Sequence, residues 1–286
     1  MVNVFRKILI PVDFTFNSDI AISKALDLID SENGQIILIH LIKPFVLPRN
    51  FFGPHRTSET ILPHPDQSEC RGKMNDYKLR IQKRFPEVQV RTQIHDHMKL
   101  QEGIIQSAYL LTPDLILIGK CAGRHLVPFA NRVFPARIAR KTYCPVLTVK
   151  PGAMENKIKN IVLPITNKDS ERKLDMAIRI ANKFNAKIHL LSFQASPDYE
   201  NNEVGSLFES FRRIKEKVPL FVMPFPQQGN SFAKSTLSYA EMINADMILA
   251  NSKNESCVFS IVGNRHLSDL LVSSSPIQIM DIIPYF

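Results

Sequence analysis

The chain is written twice. KILIPVDF (Lys7–Phe14) is matched by NIVLPITN (Asn160–Asn167), and QIILIHLI (Gln35–Ile42) by KIHLLSF (Lys187–Phe193). DLILIGK (Asp114–Lys120) is matched by DMILANS (Asp246–Ser252), and CPVLTV (Cys144–Val149) by SPIQIM (Ser275–Met280). Four short aliphatic segments recurring in one order require each copy to fold as the same unit. The copies lie 153 and 152 residues apart at the first two segments but 132 and 131 apart at the last two. The first copy therefore carries an insertion between its second and fourth segments. Lys43–Asp66, with Pro44, Pro48, Pro54, Pro63 and Pro65, reads as that irregular excursion.

Helical patterns separate the segments. Ser18–Ser31 places Ile22, Leu26 and Ile29 on one face with Ser18 as N-cap, and Ser170–Phe184 does the same with Leu174, Ala177, Ile178 and Ala181. Helices are expected again over Gln67–Phe85 and Asn201–Lys217, over Gln101–Leu111 and Ser231–Ile243, and over about Arg132–Thr142 and His266–Val272. The strands are apolar throughout rather than alternating, the mark of strands covered on both faces. Strand and helix in alternation with right-handed crossovers give an open parallel sheet. Each copy thus reads as a five-stranded, doubly wound α/β domain. One spans residues 1–150, with the proline-rich insertion at about 43–66, and the other spans 157–286; both have the size of an ordinary domain.

Other classes are excluded more briefly. No apolar run approaches the roughly 18 residues of a membrane-crossing helix, and the start reaches Asp13 after a run too short for a signal-peptide core. Cys70, Cys121, Cys144 and Cys257 form no CxxC pair, so a reduced, cytoplasmic protein without a disulfide framework is expected. The net charge of +9 is concentrated in the first half, where 21 Lys and Arg stand against 13 Asp and Glu. From Leu115 to Met154 there is no acidic residue, while Lys120, Arg124, Arg132, Arg137, Arg140, Lys141 and Lys150 fall inside. Such a block attracts anions or is simply a solvated basic face. Aromatics do not interleave with it and no DNA-reading motif is present, so no DNA partner is expected. There is no G-x-S-x-G elbow and no P-loop, so no catalytic residue is assigned.

A first strand ending P-V-D-F-T, a second ending L-I-H, a fourth reading D-L-I-L-I-G and a last reading C-P-V-L-T-V together resemble the universal stress protein family. The resemblance covers nearly the whole chain, as a tandem pair. It implies a Rossmann-like (adenine nucleotide alpha hydrolase-like) domain with strand order 3-2-1-4-5. It also implies pairing through the last strands, which sets Cys144–Val149 beside Ser275–Met280. A response-regulator receiver has a similar strand count, but it needs an acidic cluster and a phosphorylatable aspartate after the third strand, where this chain has His95–Asp96–His97.

In nucleotide-binding members the ligand lies at the carboxyl ends of the strands, where strand order reverses. An aspartate ending the first strand holds the adenine side, and a G-x2-G-x9-G-[S/T] loop after the fourth strand wraps the phosphates. Glycines there let the backbone approach oxygen closely, and the following helix offers free N–H groups. Asp13 stands at the aspartate and Gly119 at the first glycine; Ala122 takes the second, and Arg132–Val133 the last pair. The spacing is kept, but two of three glycines and the hydroxyl are not. Lys120, Arg124 and Arg132 are long donors that reach an anion from further out. With His40 near the crevice, the candidate ligand-binding set is Asp13, His40, Gly119, Lys120, Ala122, Arg124, Arg132 and Val133. In the second copy Thr166 replaces the aspartate, Asn251 the glycine, and the loop to Gly263–Asn264 is one residue short; that half reads as a structural partner.

Three functions remain open on this reading. The first is a non-enzymatic stress-response protein with a degenerate nucleotide or anion site in its first domain. The second is an ATP-binding, weakly hydrolysing switch, and the third a carrier of an anionic lipid or metabolite. Pairing within the chain fits a monomeric pseudo-dimer as well as a homodimer, with an unidentified protein partner. His95 and His97 share a strand face, but two ligands do not make a metal site and no metal is assigned. Cys121 beside Lys120 reads as a redox-sensitive thiol or as a small loop residue.

Overall fold

The computed structural model describes residues 4–42, 67–96, 98–120, 133–154, 157–165, 171–194, 202–218, 222–228, 232–252, 257–258, 265–267 and 275–283. The insertion at 43–66, Cys121, Ala122, Arg124, Arg132, His97, Thr166 and Gly263–Asn264 lie outside them.

The first half contributes β1 (Lys7–Val12), β2 (Gln35–Ile42), β3 (Gln89–Asp96), β4 (Leu115–Gly119) and β5 (Val146–Val149). Its helices are α1 (Phe16–Leu28), α2 (Gln67–Arg84), α3 (Leu100–Leu111) and α4 (Pro135–Thr142). The second half contributes β6 (Asn160–Ile165), β7 (Lys187–Gln194), β8 (Val222–Gln228), β9 (Met247–Asn251) and, after a short β10–β11 ribbon (Cys257–Val258, Arg265–His266), β12 (Gln278–Ile282). Its helices are α5 (Glu171–Phe184), α6 (Asn202–Lys217) and α7 (Phe232–Met242).

Ten strands form one sheet in the order β3-β2-β1-β4-β5-β12-β9-β6-β7-β8. Each half reads 3-2-1-4-5 from its own edge inward, with parallel neighbours, and the halves meet antiparallel through β5 and β12. Val146 faces Asp281 and Thr148 faces Ile279, the pairing of last strands that the family resemblance implies. The β1–β4 ladder pairs only Ile8 with Leu115 and Leu9 with Ile116. It stops two residues before Pro11, which has no N–H to give to a ladder. Beyond that point β1 and β4 are free to part, and this opens the crevice at the reversal of strand order. In the second half β6 and β9 pair over two residues in the same way.

Both faces of the inner strands are covered, which is why they carry no polar alternation, whereas the edge strand β3 is polar and largely open to solvent. On one face a single apolar cluster runs through both halves, joining Ile8, Ile20, Leu28 and Leu147 to Leu163, Ala177, Ile180 and Met280. On the other face the halves keep separate clusters, one around Ile37, Ile104 and Ile138 and the other around Leu191, Ala240 and Ile279.

Three expectations are corrected. Helix α1 starts at Phe16 with Thr15 as its N-cap, its side chain accepting from the Asn17 N–H. Ser18 is instead buried and bonded to Asp13. Helix α4 begins at Pro135 rather than near Arg132, because proline at the first position fixes a helical φ and needs no hydrogen bond. His95 lies inside β3 opposite Leu41, not beyond the strand. His266 pairs with Cys257 in the ribbon, and the helical residue Leu267 follows it directly, with 268–274 outside the described residues.

Candidate functional site

Asp13 leaves the end of β1 and turns the chain into α1. Its Oδ1 accepts three hydrogen bonds, from the Thr15 N–H (3.0 Å), the Thr15 hydroxyl (2.6 Å) and the Ser18 hydroxyl (2.7 Å). The Asp13 N–H donates back to Ser18 Oγ at 2.9 Å, closing a ring of polar contacts. Partial burial pushes the carboxyl pKa up, but these donors outweigh it and hold Asp13 below the ordinary carboxylate value. Among the described residues no donor reaches Oδ2, which remains available to an incoming group.

The next residue, Phe14, sits at φ 61°, a left-handed conformation that is costly for a bulky side chain. The turn brings its ring to 4.3 Å from that of His40, between centroids, and parallel to that of Tyr77 at 6.2 Å. His40 lies two residues inside the end of β2, and its Nδ1 donates to the Val12 carbonyl at 2.8 Å. Helix α2 adds two cations, Lys73 5.6 Å from the Phe14 ring and Arg80 4.6 Å from Tyr77. Asp13 and His40 therefore share one wall of the crevice, faced with aromatic rings. Sequence reasoning missed Phe14, Lys73 and Tyr77. The i, i+4 spacing of Lys73 and Tyr77 marks them as neighbours on α2, but not which strand end they meet.

The other wall is built from the end of β4 and the start of α4. A β-carbon on Gly119 would lie 1.9 Å from the Asn17 carbonyl oxygen, so this glycine lets α1 rest directly on the end of β4. The Lys120 N–H is spent on the Val149 carbonyl at 2.8 Å. Val133 is partly buried and packs against the cluster under α3 and α4. At the head of α4 the Phe134 N–H donates to Gln101 Oε1 at 3.0 Å, and Pro135 has no N–H. The helix start thus lacks two of the donors that would meet a phosphate. Ala122, Arg124 and Arg132 lie outside the described residues.

In the second half Asn251 and the adjoining Ser252 are both buried, and the Ser252 hydroxyl donates to the Ile282 carbonyl at 2.9 Å. The Ser252 side chain at the end of β9 is thus turned back onto β12. Among the described residues no group of three or more His, Cys, Asp or Glu could hold a metal ion, and no helix is long and apolar enough to cross a membrane.

By sequence, no curated protein matches the chain. Among solved structures, a universal stress protein from Archaeoglobus fulgidus DSM 4304 superposes with a TM-score of 0.65 at 14% identity, covering 99% of this chain and 97% of that one. A putative universal stress protein from Pseudomonas aeruginosa UCBPP-PA14 gives 0.56 at 15% identity, covering 99% and 95%. The cytoplasmic domain of a prokaryotic cation chloride cotransporter gives 0.53 at 12% identity, covering 98% and 95%, so this fold is not confined to one role. The family model for the universal stress protein family matches residues 5–150, from the isolated bridge at Phe5 to the end of β5. The chain belongs to the universal stress protein family.

Proposed function

We propose that this chain is a tandem universal stress protein, with domains at 1–150 and 157–286, that serves a cytoplasmic stress response without catalysing a reaction. Its first-domain site has moved away from the phosphate-wrapping form and takes an anion or nucleotide only in a changed way. The observation that carries this reading is the engagement of the phosphate side by the protein itself. Gly119 is filled by the Asn17 carbonyl, the Phe134 N–H is held by Gln101, and Pro135 has no N–H. With those donors and that space gone, the triphosphate of ATP loses the contacts that would orient it for hydrolysis.

The second reading, an ATP-binding switch, is favoured by the opposite wall. Asp13 presents a free Oδ2 held in place through Oδ1, and Phe14, His40 and Tyr77 offer ring faces to a base. Isothermal titration with ATP, with and without magnesium, and a phosphate-release assay separate the two. The first reading expects no phosphate release, and any ATP heat to be insensitive to magnesium. Saturable binding at one site per chain, abolished by Asp13→Ala and accompanied by phosphate release, would replace it with the switch.

A further inference from the structure

The antiparallel junction creates a second concavity that the family pattern does not describe. Because β5 and β12 run in opposite directions, the beginnings of the first-half strands lie beside the ends of the second-half strands. A cavity of about 890 Å³ occupies this corner. The first half lines it with Arg6, Tyr109, Tyr143 and Cys144, and α5 lines it with Arg172 and Arg179. Arg6 precedes β1 and Asp13 follows it, so about 20 Å of extended strand separates this cavity from the crevice above.

Carboxylates line the cavity too, but each is already engaged. Asp114 accepts from the backbone N–H groups of Arg6 and Lys7, both at 2.9 Å. Glu171 is ion-paired with Arg213 at 2.6 Å, and Asp175 with Arg213 and Lys217 at 3.5 and 3.3 Å. Among the described residues the guanidinium groups of Arg6 and Arg179 have no carboxylate partner. Arg172 reaches the Ile283 carbonyl at 3.5 Å. The Cys144 thiol is buried at the floor and donates to the Pro113 carbonyl at 3.2 Å, so the floor carries no negative charge.

The two tyrosines are exposed large rings, 58% and 54% accessible. Tyr143 ends α4 in a left-handed conformation, φ 55°, where glycine or asparagine would sit without strain. The internal repeat supplies a control. With α1 and α5 aligned on SDIAISKA and LDMAIRIA, Arg172 and Arg179 correspond to Phe16 and Ser23, and at the repeat spacing of the later segments Tyr109 corresponds to Glu241. The fold is built at those positions without arginine or tyrosine, so this set is not a requirement of the architecture.

We propose that this corner binds a small organic phosphate, its oxygens held by Arg6, Arg172 and Arg179 and its organic part against Tyr109 and Tyr143. Three guanidinium groups, one from the residue before β1 and two from α5, suit the several oxygens of a phosphate, whereas one planar carboxylate is satisfied by a single bidentate arginine. A ring or base on the ligand gains the exposed tyrosine faces as its wall.

Phenyl phosphate titrated into the full chain tests this, with inorganic phosphate and benzoate as comparison probes. Phenyl phosphate binds saturably and more tightly than either. Arg6→Glu and Arg179→Glu each weaken it by at least about tenfold, since a lost charge-assisted hydrogen bond is replaced by repulsion. Both side chains are exposed, so circular dichroism should show the fold intact in these variants. Tyr143→Gly weakens phenyl phosphate while leaving inorganic phosphate unchanged, and Asp13→Ala alters neither. No saturable binding at millimolar probe overturns the proposal. So does benzoate binding equal to phenyl phosphate, or indifference to both arginine reversals. Loss of phenyl phosphate binding on Asp13→Ala places the probe in the other crevice and overturns it as well.

Discussion

Lys183 closes the far end of a helix in the other half of the molecule: its Nζ lies 3.0 Å from the carbonyl oxygen of Leu28 and 3.0 Å from that of Ile29. Those carbonyls end α1 and have no partner within the helix. The last turn of α5 supplies their donor across the junction, on the face where one apolar cluster spans both halves. Lys183→Met keeps the aliphatic stem but strands the two acceptors. A loss of about 1–2 kcal/mol is expected, read as a lower urea midpoint. An unchanged midpoint would show that water replaces the ammonium without cost.

Gly119→Ala should be among the most damaging single-methyl changes in the first half. Its β-carbon would stand 1.9 Å from the Asn17 oxygen and 2.6 Å from the carbonyl carbon, both backbone atoms that move only if α1 moves. About 3 kcal/mol of destabilisation is expected with no ligand present. Denaturant unfolding of the unliganded variant measures it; a wild-type midpoint would return Gly119 to a purely ligand-facing role.

Ser18→Ala opens the ring around Asp13. The Asp13 carboxyl is held below its ordinary value, so the folded state releases this proton more readily than the unfolded chain. The resulting stability is complete above the unfolded value of 3.8 and is lost as pH falls through the lower folded one. In the variant the Asp13 pKa should rise, read by carbon-detected NMR titration, and the acid limb of the stability curve should flatten. Neutral-pH stability should drop by about 1 kcal/mol for the lost buried hydrogen bond.

His189 predicts a second pH dependence, in the other half. It is buried on β7 with Nδ1 3.1 Å from the Tyr239 hydroxyl. Burial, aided by the charge of Lys187, holds its pKa below 6.5, so the folded state favours the neutral ring. The unfolded chain therefore binds the proton first on acidification. Stability is full above 6.5 and declines below it, until the pH has passed the folded value, with a limiting slope of about 1.4 kcal/mol per pH unit. His189→Phe should remove that decline when melting temperatures at pH 7.5 and 5.5 are compared; an equal decline in both proteins would assign it to another group.

Cys144 should resist alkylation. Burial pushes its thiol up to about 12, with the nearby Arg172 charge offsetting only part of that, so the thiolate is scarce near neutrality. Iodoacetamide at pH 7.5 should label it in the denatured chain and spare it in the native one.

The repeat made most of the architecture legible. Lys7–Phe14 and Asn160–Asn167, read together, located the first strand of each half, and the unbroken apolar runs of β2 and β4 announced strands covered on both sides. Errors fell where a side chain chose between two local partners. Ser18 satisfies the requirements of an N-cap, yet its hydroxyl serves Asp13, and Thr15 three residues earlier takes the cap. Half of the candidate site was legible for the same reason: Asp13 and His40 end or border strands whose order the repeat fixes. Phe14 against Tyr77 was not, because those rings meet through the packing of α2, and neither was the cavity that Arg6 and Arg179 both line, which depends on the antiparallel contact of β5 with β12.

That contact also sets a schedule for the ribosome. Strand β5 is made midway, but the neighbour that covers its open edge, β12, is made only after the whole second half has emerged. Until then the four residues of β5, Val146 to Val149, three of them apolar, present unpaired backbone groups to whatever strand is nearby. A nascent first half is thus folded but adhesive. The late arrival of Gln278–Ile282 at the centre of the sheet is the step that turns two half-finished layers into one closed molecule.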